Sequence, residues 1–192
     1  MARRVFFSFH YEDVRSFRAN VVRNHDRFKE SDEAGFFAWS IWEDAKLHGD
    51  NSVKRLVDES LERTSVTCVL IGTETWNRRW VRYEILKSYE RGNKLIGVHI
   101  NDVRDKERNV RPIGANPFEY LGFIISPSGK TLTFHEHDGN QWNVYQDLPR
   151  LNGQNFPTKH CDKGFVLSEW VPVYSWTKDD GYNNFSSWIE NL

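Results

Sequence analysis

The sequence of 192 residues predicts a doubly wound α/β fold, a parallel sheet with helices on both faces, followed by a C-terminal antiparallel β-rich extension. Three observations predict it. The runs VFFSF, VTCVLIG and LIGVHI are apolar on both faces, as strands covered by helices must be. Segments with apolar residues at helical spacing alternate with these runs. Beyond Ile100 the alternation gives way to short strand-like runs separated by turn residues.

The elements follow in order. Val5–Phe9 is the first strand. Asp13 then opens a helix with Val14, Phe17, Val21 and Phe28 at helical spacing and Arg15, Arg18 and Arg23 between them. Residues 36–42 read as the second strand, and Val53, Leu56, Val57 and Leu61 as an amphipathic helix. Val66–Ile71 is a strand, residues 75–91 a helix and residues 94–100 a further strand. The polar, Gly- and Pro-containing stretch 101–117 reads as a long loop. In FIISPSGKTLTFHEHDGNQWNVYQDL, turn groups at 127–129 and 138–140 separate alternating runs, which suggests an antiparallel meander. Four of the eight tryptophans (Trp142, Trp170, Trp176 and Trp188) lie in the tail, which is therefore expected to fold, with a last helix near 182–191. The expected organisation is a core over 1–117 and an aromatic-rich extension over 118–192 packed against it as one compact unit.

Composition narrows the function classes. A formal charge of −1 leaves no basic footprint for nucleic acid or an anionic membrane, so neither is an expected partner. The two cysteines, Cys68 and Cys161, are far apart and lack metal-ligand spacing, which argues against a disulfide scaffold or a structural zinc. The apolar run in MARRVFFSFHYED is too short for a signal peptide, and no later run approaches ~18 apolar residues, so a cytoplasmic location is expected.

In an open parallel sheet, ligands bind beyond the carboxyl ends of the strands. The residues there are Ser8, His10 and Tyr11 after the first strand, Trp42-Glu43-Asp44 after the second, Gly72-Thr73-Glu74-Thr75 after the third and Asn101-Asp102 after the fourth. No GxGxxG, P-loop or GxSxG motif occurs among them. In the helix over 75–91, Asn77, Trp80, Glu84 and Ser88 fall within about 40° of one another beside the apolar stripe. Glu84 is thus either a solvated helix glutamate or a carboxylate at the lip of a cleft with an aromatic wall. Ser8 is a small strand residue or a site residue, His10 a loop histidine or a substrate contact, and Asp13 a first-turn acid favoured by the helix dipole. Glu43 and Asp44 are open between capping and substrate contact. The HEHD run at 135–138 has the look of a metal site, but alternation in a meander places it toward solvent, and no metal is expected.

These residues carry a resemblance. FFSFHYED resembles the first-strand motif of TIR domains, a hydrophobic strand running into Ser-aromatic and then Asp. TCVLIGTETWNRRWVRYEI resembles their third strand followed by the helix bearing Trp-x-x-x-Glu, here Trp80 to Glu84. With its long aromatic tail, the chain is most similar to the TIR subunits of the bacterial Thoeris anti-phage system. The resemblance implies a flavodoxin-like TIR fold and cleavage of the nicotinamide–ribose bond of NAD⁺. Glu84 would be the catalytic carboxylate and Phe6, Ser8, His10, Asp44 and Trp80 the substrate-binding residues. No cofactor is implied, NAD⁺ being the substrate. The implied partners are a phage-derived trigger and a separate effector NADase reached through a cyclic ADP-ribose isomer, with a homo-oligomer possible. The loop WEDA at 42–45 lacks the proline of many TIR domains, which leaves the role of Asp44 open. A non-catalytic TIR interaction module would lack Glu84, and a nucleoside deoxyribosyltransferase-like enzyme, which shares the sheet type, would lack these two motifs.

Nicotinamide leaves a pyridinium as a neutral molecule and needs no general acid, unlike the leaving group of an ordinary glycoside. Positive charge develops on the ribose, so one ionised carboxylate aimed there suffices.

Overall fold

The computed structural model describes residues 3–23, 45 and 47–192. The strand expected at 36–42, and with it Phe28, Glu43 and Asp44, lies outside the described residues.

Strands β1 (Val5–Phe9), β2 (Val66–Ile71) and β3 (Lys94–His99) are adjacent and parallel, with Ser8 opposite Val69 and Val69 opposite Gly97. All six β2 residues are buried, as the run VTCVLI demands of a central strand. After β3 the chain builds an antiparallel sheet from β4 (Leu121–Ile125), β5 (Leu132–His137), β6 (Trp142–Val144) and β7 (Gly164–Val166), in the order β6-β5-β4-β7. It then returns: β8 (Val173–Ser175) pairs parallel to β3 and completes the order β1-β2-β3-β8. Residues 118–192 therefore do not leave the first sheet for good at 117/118. The antiparallel sheet is inserted in the crossover between two parallel strands, and the last strand and helix belong to the α/β layer.

The helix expected to run on from Asp13 is broken. The described part forms α1 (Tyr11–Arg15) and α2 (Arg18–Arg23), separated at Phe17, whose φ of 69° is left-handed and interrupts the hydrogen-bond ladder. The break reverses the expected burial: Phe17 is 43% exposed and Arg18 is 1% exposed. Further along the described residues come α3 (Asp50–Leu61), α4 (Arg79–Glu90) and α5 (Gly181–Glu190). The helix expected over 75–91 opens instead as a 3₁₀ turn, Thr75–Asn77, and α4 starts only after Arg78, whose extended backbone (ψ 118°) separates the two.

Two cores flank the parallel sheet. On one face Val5, Phe7, Cys68, Leu70, Ile96 and Val98 pack against Ala19 and Val22 of α2 and Phe185 and Ile189 of α5. On the other, Phe6, Val69 and Ile71 meet Val57 and Leu61 of α3 and Val81 and Ile85 of α4, and this core runs on without a break into Phe123, Leu132 and Phe134 of the antiparallel sheet. Helix α4 is consequently enclosed: Val81 through Leu86 and Ser88 are all buried. A helix of an open α/β layer keeps one polar face in water, but here the inserted sheet covers that face. The polar residues on it find partners, Arg82 Nη1 donating to Glu136 Oε2 at 2.6 Å and Tyr83 to Asp58 at 3.1 Å.

Candidate active site

Glu84 is 7% exposed and its Oε2 accepts a hydrogen bond from Ser8 Oγ at 2.5 Å. Both positions follow from local structure. Alternation along β1 puts Phe6 and Ser8 on the α4 side and Phe7 on the α5 side. Spacing of four along α4 puts Glu84 and Ser88 on the face that crosses β1 and β2, where Ser88 Oγ lies 2.7 Å from Thr67 Oγ1 and donates to the Glu84 carbonyl at 2.6 Å. A polar strip, Ser8–Glu84 and Thr67–Ser88, thus runs between sheet and helix inside an otherwise apolar contact. The sequence singles out Ser8 and Glu84 as candidates and places Ser88 on the same helix side, but it gives no sign of Thr67, because a threonine inside VTCVLI reads as an ordinary strand residue.

Burial pushes the Glu84 carboxyl up to about 8, and the Ser8 hydrogen bond opposes this only in part. The side chain is therefore not at the open lip of a cleft but inside the contact, and at neutral pH the free protein holds it mostly protonated. Carboxyl groups with so raised a pKa cluster at functional sites.

The remaining expected residues are placed as follows. Phe6, expected to bind substrate, is instead 1% exposed and part of the core, because its strand position faces the covering helices. Trp80, one turn before Glu84, is half-buried, with its ring edge-on to Tyr83 at 5.9 Å and the Arg79 guanidinium 4.8 Å from its centre. His10, half-buried, follows β1 and lines a cleft of 710 Å³ at the carboxyl ends of β1 and β2, together with Asp13, Thr73, Arg78 and Arg111. Glu84 and Ser8 do not line that cleft. Asp44 lies outside the described residues.

Asp13 proves more than a first-turn acid. It is 8% exposed, and burial pushes its carboxyl up to about 6 despite Arg18 nearby. Its Oδ2 is 3.5 Å from Thr75 Oγ1, which also accepts from the Gly72 amide at 2.9 Å. A Cβ on Gly72 would lie 2.3 Å from both carboxyl oxygens, so any larger residue there must displace the Asp13 side chain. Arg18, read in the sequence only as a position between the apolar ones, donates to the Val103 and Asn109 carbonyls and to Asp105, each at 2.9 Å, and so fixes the loop after β3. A single arginine at a polar helical position carries no sign of this in the sequence.

The HEHD run is otherwise engaged. Glu136 pairs with Arg82, the His137 ring lies edge-on between Tyr120 and Trp142, and Asp138 accepts from the Asn140 and Gln141 amides of its own turn. Among the described residues no group of three His, Cys, Asp or Glu side chains is placed to hold a metal ion, and no helix is long and apolar enough to cross a membrane.

What the arrangement can do is specific. A buried carboxyl that accepts from a hydroxyl, one turn after an indole, can stabilise a positive charge brought against it. Residues 6–105 match the family model described as Thoeris protein ThsB, TIR-like domain. The chain is 54% identical over 191 residues to a protein of Bacillus cereus (strain MSX-D12) named "Putative cyclic ADP-D-ribose synthase ThsB1", covering 98% of this chain and 100% of that protein.

Proposed function

The chain belongs to the Thoeris ThsB TIR-like family, and on that premise we propose that it is a TIR-type enzyme that cleaves the nicotinamide–ribose bond of NAD⁺ and closes the remainder into a cyclic ADP-ribose isomer. The product would be the diffusible signal that activates a separate effector during phage infection, with the whole sequence of events in the cytoplasm. The name of the B. cereus relative, a cyclic ADP-D-ribose synthase, supports the cyclase reading over a hydrolase that makes only linear ADP-ribose. The observation that carries the reading is Glu84, buried against Ser8 one turn after Trp80.

The mechanism follows from charge. NAD⁺ brings a pyridinium cation next to a carboxyl whose neutral form is favoured only by burial. The cation favours the ionised form, so binding expels the Glu84 proton. As the C1′–N bond breaks, the electron pair leaves with nicotinamide and the ribose becomes cationic. Glu84, held by the Ser8 hydroxyl, stabilises that charge in a site from which water is largely excluded, an effect on the order of a few kcal/mol. Trp80 would bound the ring or ribose, while His10, which lines the cleft that Glu84 and Ser8 do not reach, and Asp44 would contact other parts of the dinucleotide, and Phe6 is core rather than a contact. A hydroxyl of the same molecule then attacks C1′ and loses its proton, giving nicotinamide, the cyclic isomer and one proton.

Purified protein activated by its trigger should release nicotinamide and a cyclic isomer from NAD⁺, followed by chromatography with mass detection. Glu84→Gln should lower that rate by more than about 100-fold. Full turnover in the Gln variant, or untouched NAD⁺ with the triggered protein, would rule the proposal out.

A further inference from the structure

Resting on the reading of the chain as an NAD⁺-cleaving TIR enzyme, we propose that the inserted antiparallel sheet orients the Trp80 indole through a relay from Asp147 to Arg79 to Trp80, which makes Asp147 and Arg79 positioning residues for the substrate. Helix α4 has no cap of its own: the side chain of Arg78 at its N-cap makes no capping hydrogen bond. Its first turn is held from outside. Asp147, just beyond β6, accepts from Arg79 Nε at 2.8 Å and Arg79 Nη2 at 2.7 Å, the two-pronged geometry that fixes a guanidinium plane as well as its position. Asp50 of α3 takes the same Nη2 at 2.7 Å, and Lys54 of α3 reaches Asp147 Oδ1 at 3.0 Å.

That guanidinium lies 4.8 Å from the centre of the Trp80 ring. A cation held there by two carboxylates limits how far the indole can turn. Isolated surface ion pairs contribute little, but this one is forked, shared among four side chains and anchored on Asp147, whose side chain is only 15% exposed. The Arg79 hydrogen bonds, followed by those of Lys54, hold Asp147 at about 2, so the relay stays charged across the range in which Glu84 titrates. One turn on, Glu136 of β5 grips Arg82 and fixes the same helix relative to the same sheet. The insertion thus acts on Trp80 and the Glu84 helix without touching the sugar.

Two variants of the full-length protein separate this role from simple stability. Asp147→Asn keeps the shape and removes the charge, and Arg79→Lys keeps the charge and removes the fork and the flat stacking surface. With 5-fluorotryptophan in place of the eight tryptophans, ¹⁹F NMR reports each indole, and Trp80→Phe identifies the Trp80 signal. Both variants should shift or broaden the Trp80 resonance and leave those of Trp176 and Trp188 in place. In triggered protein they should raise KM for NAD⁺ about 5-fold with kcat changed less than about 2-fold, and Asp147→Asn should add nothing in a Trp80→Phe background. An unmoved Trp80 resonance, or an equal KM rise with Phe at position 80, overturns the relay. Wild-type protein inert toward NAD⁺ overturns the functional reading instead, while the Trp80 resonance still decides the relay.

Discussion

Glu84 keeps its proton to about pH 8 in the folded chain, whereas an exposed glutamate loses it near 4.5. Below pH 4.5 both folded and unfolded chains are protonated there, and the group has no effect on stability. Between 4.5 and 8 the folded chain holds a proton that the unfolded chain has lost, so stability falls as pH rises through this window and then levels off. Gln cannot ionise and escapes that loss. Glu84→Gln should therefore melt at nearly the wild-type temperature at pH 4.5 and about 5–10 °C higher at pH 8, measured by calorimetry. A melting difference that does not grow with pH would contradict the burial argument. In triggered wild-type protein, kcat/KM should rise with pH to a plateau near 8, and kcat should level off at lower pH because bound pyridinium favours the ionised carboxylate. Gly72 makes a second residue-scale prediction. Gly72→Ala should destabilise the protein by roughly 1–3 kcal/mol in urea titrations, since its Cβ meets the Asp13 carboxyl. In an Asp13→Ala background the same change should have little effect, and equal losses in both backgrounds would mean the clash is not the cause.

At the scale of elements, the strands were the most legible part. VTCVLI is fixed as β2 by composition alone, because six successive β-prone residues with no polar face fit only the middle of a covered sheet. Helix breaks were not legible. Neither Phe17 nor Arg78 is Gly or Pro; the break at Phe17 goes with a long-range contact, Arg18 reaching the Val103 carbonyl after β3, and Arg78 separates a 3₁₀ turn tied locally to Gly72 from the helix proper. Helix α4 shows the same limit. Its apolar stripe and the Trp80–Glu84 spacing were visible, but that its outer face is covered, and hence that Arg82 is buried, depends on a sheet inserted some 40 residues later.

On the scale of the whole molecule, β8 and α5 make the carboxyl-terminal residues part of the α/β layer. Tyr174 of β8 stacks on Trp188 of α5 at 4.2 Å, and Phe185 lies 6.1 Å from Phe7 of β1. A chain ending at residue 117 would lose this cover and expose Phe7, Ile96 and Val98 on one face, along with the part of the other core that faces the insertion. It should fail to unfold cooperatively in urea, followed by near-ultraviolet circular dichroism. A sharp transition in the truncated chain would show that residues 1–117 stand alone.

The sequence by itself determined the α/β class, the parallel strands and the family, and brought Ser8 and the Trp80–Glu84 helix forward as candidates for one site. These rest on period and on short motifs, which are local properties. Tertiary structure alone decided that Glu84 is buried and protonated, that Asp13 needs Gly72 and that Arg18 is interior. It also decided that the tail returns to the first sheet after building a second one over α4. Each of these depends on which distant segment lies against a residue, and burial, the main cause of the shifted carboxyl groups, exists only once those segments have met.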